Sequence, residues 1–220
     1  MKEILPGVFH WKTFHEGIQA YVHSYYLNTT DPPVLIDPRV PGQGIEWFAV
    51  HGAPAHIYLT NRHHYRHSDR IAARYGAQVW CHADGLHEFS YGEKVRSFRH
   101  GRMLPGGVLA LRVGALCPEE TAFHLPLHGG ILSIGDAIVR AHGRLGFVPD
   151  AYMGDDPEAV KRGLRTIFLK HLREREFDHL LFAHGAPWIG DARAGLEKFL
   201  AHGASAARPP APRAAKTGRK

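Results

Sequence analysis

The stretch that decides the fold runs from residue 56 to residue 69 and reads HIYLTNRHHYRHSD. Its first part, His56 to Thr60, is a short apolar run typical of a buried β-strand. The second part holds three histidines within five residues, His63, His64 and His67, with Asp69 two residues further on. Zinc and iron favour imidazole and carboxylate ligands. The stretch therefore predicts a metal site where a strand gives way to a helix, and the alternative is a solvated polar loop.

Two later segments show the same sequence pattern, an apolar run followed by a polar residue. Residues 131–136 read ILSIGD and residues 180–185 read LLFAHG, so that Asp136 and His184 each follow a strand-like run. Ligands usually bind at strand ends in α/β folds. Asp136 and His184 can therefore converge with the histidine cluster.

The rest of the chain reads as short strands in its first and middle thirds and as helices in its last third. A helix is expected after the cluster, with Ser68 as N-cap and Gly76 as its end, and another from Pro157. Residues 140–153 lack periodicity and are predicted to form a long loop. Strands in two groups with helices between them favour two sheets covered by helices, a four-layer α/β arrangement.

Composition predicts one domain, residues 1–203, and a disordered basic tail, residues 204–220. The net charge of the 220-residue chain is +6, and the Pro- and Ala-rich tail holds five basic residues and no acidic one. A specific nucleic-acid partner is therefore not expected. Apolar runs are too short for a membrane span, the first residues do not read as a signal peptide, and the two cysteines need no disulfide. We expect a cytoplasmic protein with no membrane partner.

Taken in order, these segments resemble the metallo-β-lactamase superfamily over residues 5–202. The matching segments are Pro6-Gly7-Val8, residues 23–27, residues 34–38, Leu59-Thr60 with the histidine cluster, Gly135-Asp136 and His184-Gly185. The cluster is similar to the family's Thr-His-x-His-x-Asp-His signature, Asp136 to its metal-bridging aspartate, and His184 to its last histidine. The resemblance implies an αββα sandwich with the metal site at one edge.

The signature itself is substantially rewritten. Without gaps, Asn61 replaces its first histidine, His63 matches the second, Tyr65 replaces the aspartate and Arg66 replaces the third histidine. The segment also looks shorter than its counterpart in the family. If the deletion falls early, His63 and His64 instead occupy the Asp-His positions, and both alignments remain open at this point.

A further histidine of the family lies in a turn before the strand that leads to Gly-Asp, and Cys117 corresponds to it here. A thiolate is a good zinc ligand, whereas a free cysteine is also a common core residue. Both interpretations of Cys117 stand.

The resemblance implies a metal-dependent hydrolase with an atypical or reduced site, acting on a small-molecule ester, thioester or lactone. The predicted ligands are His63, Asp136 and His184, with His64, His67 and Cys117 as further candidates. Tyr65 and Asp69 are candidates for assisting proton transfer. We expect one ion of zinc, iron or manganese, or none, and an affinity that falls below pH of about 6.5, where free histidine protonates. The alternative is a non-catalytic binding or scaffold protein of the same fold that has lost its metal.

Overall fold

A computed structural model describes residues 1–202 of the chain; the predicted tail lies outside the described residues. The architecture consists of two sheets, each covered on one face by helices, and a separate hairpin. Within the described range, no helix is both long and apolar enough to cross a membrane.

The first sheet has seven strands that lie side by side in chain order. They are β1 (Lys2–Leu5), β2 (Val8–His15), β3 (Ala20–Leu27), β4 (Val34–Ile36), β5 (His56–Tyr58), β6 (Gln78–His82) and β7 (Val95–Phe98). The pairs from β1 to β4 are antiparallel and those from β4 to β7 are parallel. Ile36 pairs with Tyr58, so the residues that follow β4 and β5 leave the sheet at the same edge.

The second sheet has five strands, in the order β14, β11, β10, β9 and β8. Their bounds are β8 (Met103–Leu104), β9 (Val108–Arg112), β10 (Thr121–Leu125), β11 (Ile131–Ile134) and β14 (His179–Phe182). The β11–β14 pair is parallel, with Ile134 opposite Phe182. Because each of these residues is followed two positions later by a predicted ligand, Asp136 and His184 leave the sheet together.

Three apolar clusters separate four layers. Between the sheets, Tyr58 packs with Phe123 and Leu181. Outside the first sheet lie helices α1 (Trp47–His51) and α2 (Ser68–Tyr75), and outside the second lie α3 (Pro157–Glu174) and α4 (Ala192–His202). In β14, Leu181 faces the inner cluster while Leu180 and Phe182 face the outer one, since successive side chains alternate across a strand. The predicted four-layer αββα arrangement is confirmed.

The predicted long loop at residues 140–153 is wrong. Most of it belongs to an antiparallel hairpin of β12 (Ile138–Ala141) and β13 (Arg144–Phe147), followed by a 3-10 turn, Asp150–Tyr152. The two turn residues, His142 and Gly143, both have positive φ, as a tight hairpin requires. Strands of four residues are too short to give a clear alternation, and histidine in the turn is not the usual Asn-Gly signal.

Helix α2 begins at Ser68 with His67 as its N-cap, so the predicted cap is one residue off. Gly76 ends the helix in the left-handed conformation, as predicted.

Candidate metal centre

Three side chains meet at the edge where the two sheets end. Asp136 follows β11 and His184 follows β14, while His64 lies in a 3-10 turn, Arg62–His64, after β5. One potential ligand atom from each of the three lies within 4.8 Å of the others. No other group of this kind is found in the part of the chain that the structure describes.

The Asp136 carboxylate lies at the centre of this group. Its Oδ1 is 3.1 Å from His64 Nε2 and 3.0 Å from His184 Nε2. Although Oδ1 is buried, it accepts no well-directed hydrogen bond. Two imidazole nitrogens and one carboxylate oxygen form a donor set that suits zinc, iron or manganese, and the unsatisfied oxygen fits a cation in that position.

A second carboxylate, Asp37, orients His64 from behind. Asp37 is buried, and its Oδ2 is 2.9 Å from His64 Nδ1. Thr60 donates from its backbone nitrogen to Asp37 Oδ1 at 2.8 Å and from its Oγ1 to Asp37 Oδ2 at 2.6 Å. When the Nδ1 proton of a histidine is bound to a carboxylate, Nε2 is left to act as a ligand. Asp37 therefore directs the Nε2 of His64 towards Asp136.

The charges of this network are coupled. Burial lowers the pKa of His64, but Asp136 and Asp37 outweigh it and raise the pKa to about 9. Burial raises the pKa of both carboxyls, yet the neighbouring imidazoles hold the pKa of Asp37 below its usual value and that of Asp136 well below it. Without a metal, a protonated His64 thus lies between two carboxylates at neutral pH.

The other oxygen of Asp136 is engaged by Asn61. Asn61 is buried, and its amide donates to Asp136 Oδ2 at 2.9 Å while its Oδ1 accepts from the His63 backbone at 2.9 Å. On the same side of the turn, Arg62 forms an ion pair with the buried Glu119. Asn61 therefore engages the Asp136 oxygen other than the one that lies close to the two imidazoles.

The histidines of the cluster differ in their positions relative to Asp136 and His184. His64 joins these two residues, whereas the predicted ligand His63 is exposed and lies outside the converging group. The ungapped alignment puts Arg66 at the third histidine. Arg66 instead turns away with a positive φ and donates to the carbonyls of His23 and Asp37 at 2.8 and 2.7 Å.

The remaining candidates do not reach the group either. The Nδ1 of His67 accepts from the Val40 backbone at 3.0 Å, because the start of α2 turns its ring towards the loop after β4. Cys117 is partly buried, and burial raises the pKa of its thiol to about 12, which disfavours the thiolate. Tyr65 packs on Phe89 with ring centroids 5.4 Å apart, and Asp69 is exposed in the first turn of α2.

Sequence reasoning missed three residues that support the group: Asp37, Thr60 and Glu120. Glu120 is buried, and its Oε1 accepts from the Ala137 backbone at 2.7 Å. Burial, and then the charge of Asp136, raises the pKa of Glu120 to about 8. In the sequence, only one feature pointed to Asp37 and Thr60 as site residues: each polar residue directly follows an apolar run. Nothing in the sequence pointed to Glu120, because glutamate is seldom buried.

No family model matches the chain, and no curated protein matches it in sequence. Solved structures do match its fold. A metallo-β-lactamase family protein from Thermus thermophilus is 20% identical with a TM-score of 0.61, over 92% of this chain and 81% of that one. A β-lactamase domain protein from Burkholderia ambifaria is 16% identical with a TM-score of 0.62, over 93% and 76%.

A third structure is of a protein in a di-iron-bound form, 22% identical with a TM-score of 0.62, over 81% of this chain and 94% of that one. The layer order, the position of the converging side chains and these likenesses agree with one another. The chain has the metallo-β-lactamase fold.

Proposed function

We propose that this protein is a metal-dependent hydrolase with a reduced site that holds one divalent ion of zinc, iron or manganese. His64, Asp136 and His184 are the proposed ligands. The observation that carries the proposal is Asp136 Oδ1, a buried oxygen without a hydrogen bond that lies 3.1 and 3.0 Å from two imidazole nitrogens. Capping of Oδ2 by Asn61 supports one ion rather than two.

A bound ion of this kind polarises a carbonyl group and lowers the pKa of water to about 7, which is the chemistry of ester, thioester or lactone hydrolysis. The chain's own contribution is to hold the ligands rigidly and leave them accessible. Asp37 fixes the ring of His64, while the side chains of His184 and Asp136 are 24% and 25% exposed. A small-molecule substrate can therefore approach from the side of His184 and Asp136.

Metal affinity should depend on pH well above the normal range of histidine. His64 must lose its proton to bind, and that proton has a pKa of about 9 in the metal-free protein. We expect affinity to rise about tenfold per pH unit from pH 7 and to level off near pH 9, rather than near pH 6.5.

The same shift has a consequence for the metal-free protein. Because the pKa of His64 is raised above its unfolded value, protonation of His64 stabilises the folded protein. This contribution is complete below about pH 6.5 and is lost as pH rises towards 9. Zinc titrations by calorimetry at pH 6.5, 7.5 and 8.5 test the expected rise in metal affinity with pH. An affinity that stays constant across this range would contradict it.

The proposed activity is tested with metal-free and reconstituted protein. We expect the zinc-, manganese- or iron(II)-loaded protein to hydrolyse at least one of a nitrophenyl ester, a thioester or a lactone. Treatment with a chelator should abolish the reaction, and restoring the ion should return it. Hydrolysis that is insensitive to the chelator, or absent with every ion, would remove the hydrolase proposal.

One observation favours the alternative, a non-catalytic binding protein of the same fold. The protonated His64 already offsets one of the two negative charges of Asp37 and Asp136, so the network is partly neutralised without a cation. A protein that binds no metal and catalyses none of these reactions would match this alternative.

A further inference from the structure

A pocket of about 430 Å³ with a basic lining is formed by residues of β2, β3 and the β12–β13 hairpin. Two cationic residues, three histidines and a tyrosine contribute to it: Lys12, Arg140, His10, His23, His142 and Tyr21. None of its lining residues is acidic. We call it the basic pocket.

The basic pocket is joined to the metal centre through the backbone. The nitrogen of Arg140 donates to the carbonyl of His184 at 2.9 Å, and the nitrogen of His23 donates to the carbonyl of Ala183 at 3.0 Å. Gly185 makes this closeness possible, because a Cβ there would lie 2.2 Å from the carbonyl oxygen of Arg140. Two residues of the pocket wall are therefore hydrogen-bonded through the backbone to residues 183 and 184, although His184 itself does not line the pocket.

Neither cation of the pocket has a carboxylate partner among residues 1–202. The Arg140 guanidinium lies 4.9 Å from the ring centroid of Trp188 and donates to the carbonyl of Pro187 at 2.8 Å, contacts that orient it without neutralising it. The exposed Lys12 has its ammonium 4.7 Å from the ring centroid of Tyr21. The positive charge is therefore available to a ligand.

The wall of the pocket also carries a histidine pair. His10 Nε2 and His23 Nδ1 are 2.7 Å apart, so one ring donates to the other. Burial, followed by nearby positive charges, lowers the pKa of His10 to about 4 and that of His23 to about 3, so both rings are neutral near pH 7. Whichever ring donates, one N–H of the pair is left outside this hydrogen bond, and we infer that it donates to an oxygen of a ligand.

We propose that the basic pocket binds an anionic group of the substrate, a carboxylate or a phosphate. The inference rests on the proposed hydrolase function, and it narrows the substrate to an ester, thioester or lactone with a negative charge near the bond that is cleaved. Two uncompensated cations, a neutral N–H donor and the absence of acidic groups from the lining carry this assignment.

The test measures the binding of inorganic phosphate and of succinate to the full-length protein by calorimetry, with the succinate titration repeated after loading with zinc. We expect at least one of the two anions to bind. Lys12→Gln and Arg140→Gln should each weaken that binding by about tenfold. The matched control is Arg144→Gln, an exposed arginine on the other strand of the same hairpin, which should leave it unchanged.

Which anion binds more tightly assigns the group as phosphate or carboxylate. Lys12 is exposed, so its variant reports on the pocket even if Arg140→Gln proves unstable. Equal affinities in the Lys12 and Arg144 variants, or no binding of either anion, would overturn the proposal. Metal content measured on the same samples distinguishes failure of the pocket proposal from failure of the hydrolase proposal. A protein that binds metal but neither anion would contradict only the pocket proposal. A protein that binds an anion but no metal would contradict the hydrolase proposal.

Discussion

His184→Ala is expected to abolish the stabilisation that added metal gives to the protein. His184 supplies one of three proposed ligands, and its Nε2 is 3.0 Å from the central oxygen of Asp136. For the unaltered chain, an ion at a hundred times its dissociation constant stabilises the native state by roughly 2.7 kcal/mol. In a domain of this size, that is a rise in melting temperature of about 5 to 10 °C. With two protein ligands left, we expect no measurable rise.

The control for this variant is His63→Ala. His63 is exposed and adjacent to the proposed ligand His64, yet it lies outside the converging group, so its loss should leave the shift in melting temperature intact. Cys117→Ser should also leave it intact, since the thiol does not join the group. Thermal melting with and without zinc, manganese or iron(II) at pH 7.5 makes the comparison. A shift that survives His184→Ala but disappears in His63→Ala would contradict the proposed set of ligands.

Asp37→Asn is expected to destabilise the metal-free protein by about 3 to 5 kcal/mol, the usual cost of removing one partner of a buried charge pair. Asp37 accepts two hydrogen bonds from Thr60 and lies 2.9 Å from His64 Nδ1, so the substitution leaves the protonated ring without one of its two carboxylates. The affinity for metal should also fall by about 10- to 100-fold, because His64 loses the group that orients it.

Chemical denaturation of the metal-free protein measures the first effect, and zinc titration measures the second. Asp69→Asn is the matched control, since Asp69 is exposed in the first turn of α2 and should change stability by less than about 0.5 kcal/mol. A variant at Asp37 as stable as the one at Asp69 would contradict the role assigned to the buried carboxylate.

Much of the fold could be predicted because its central strands, such as β4, β11 and β14, are covered on both faces. Predominantly apolar runs such as residues 131–134 and 180–182 are expected to be buried, and a polar residue soon after such a run is expected at a sheet edge. The resemblance to the family adds the expectation that Asp136 and His184 converge, and the parallel pairing of β11 with β14 brings them to the same edge. The hairpin at residues 138–147 was not predicted, because its strands are short and one face is only half buried.

The rewritten cluster could not be resolved from sequence, since its alignment depends on backbone geometry. Asn61 caps the 3-10 turn through its side chain, and this turn directs His64 inward and His63 outward. Neighbouring histidines carry identical chemistry, so residue type alone does not say which of them faces the site. The role of Asp37 depends on the pairing of β4 with β5, a contact between residues far apart in the chain.

The metal content of the purified, reconstituted full-length protein tests the central claim most directly. After excess ion is removed by gel filtration, elemental analysis should find one divalent ion per chain, and the His184→Ala variant should hold none. A chain that retains no ion under any of the zinc, manganese and iron(II) conditions, or one that retains two, would contradict the single site built from His64, Asp136 and His184.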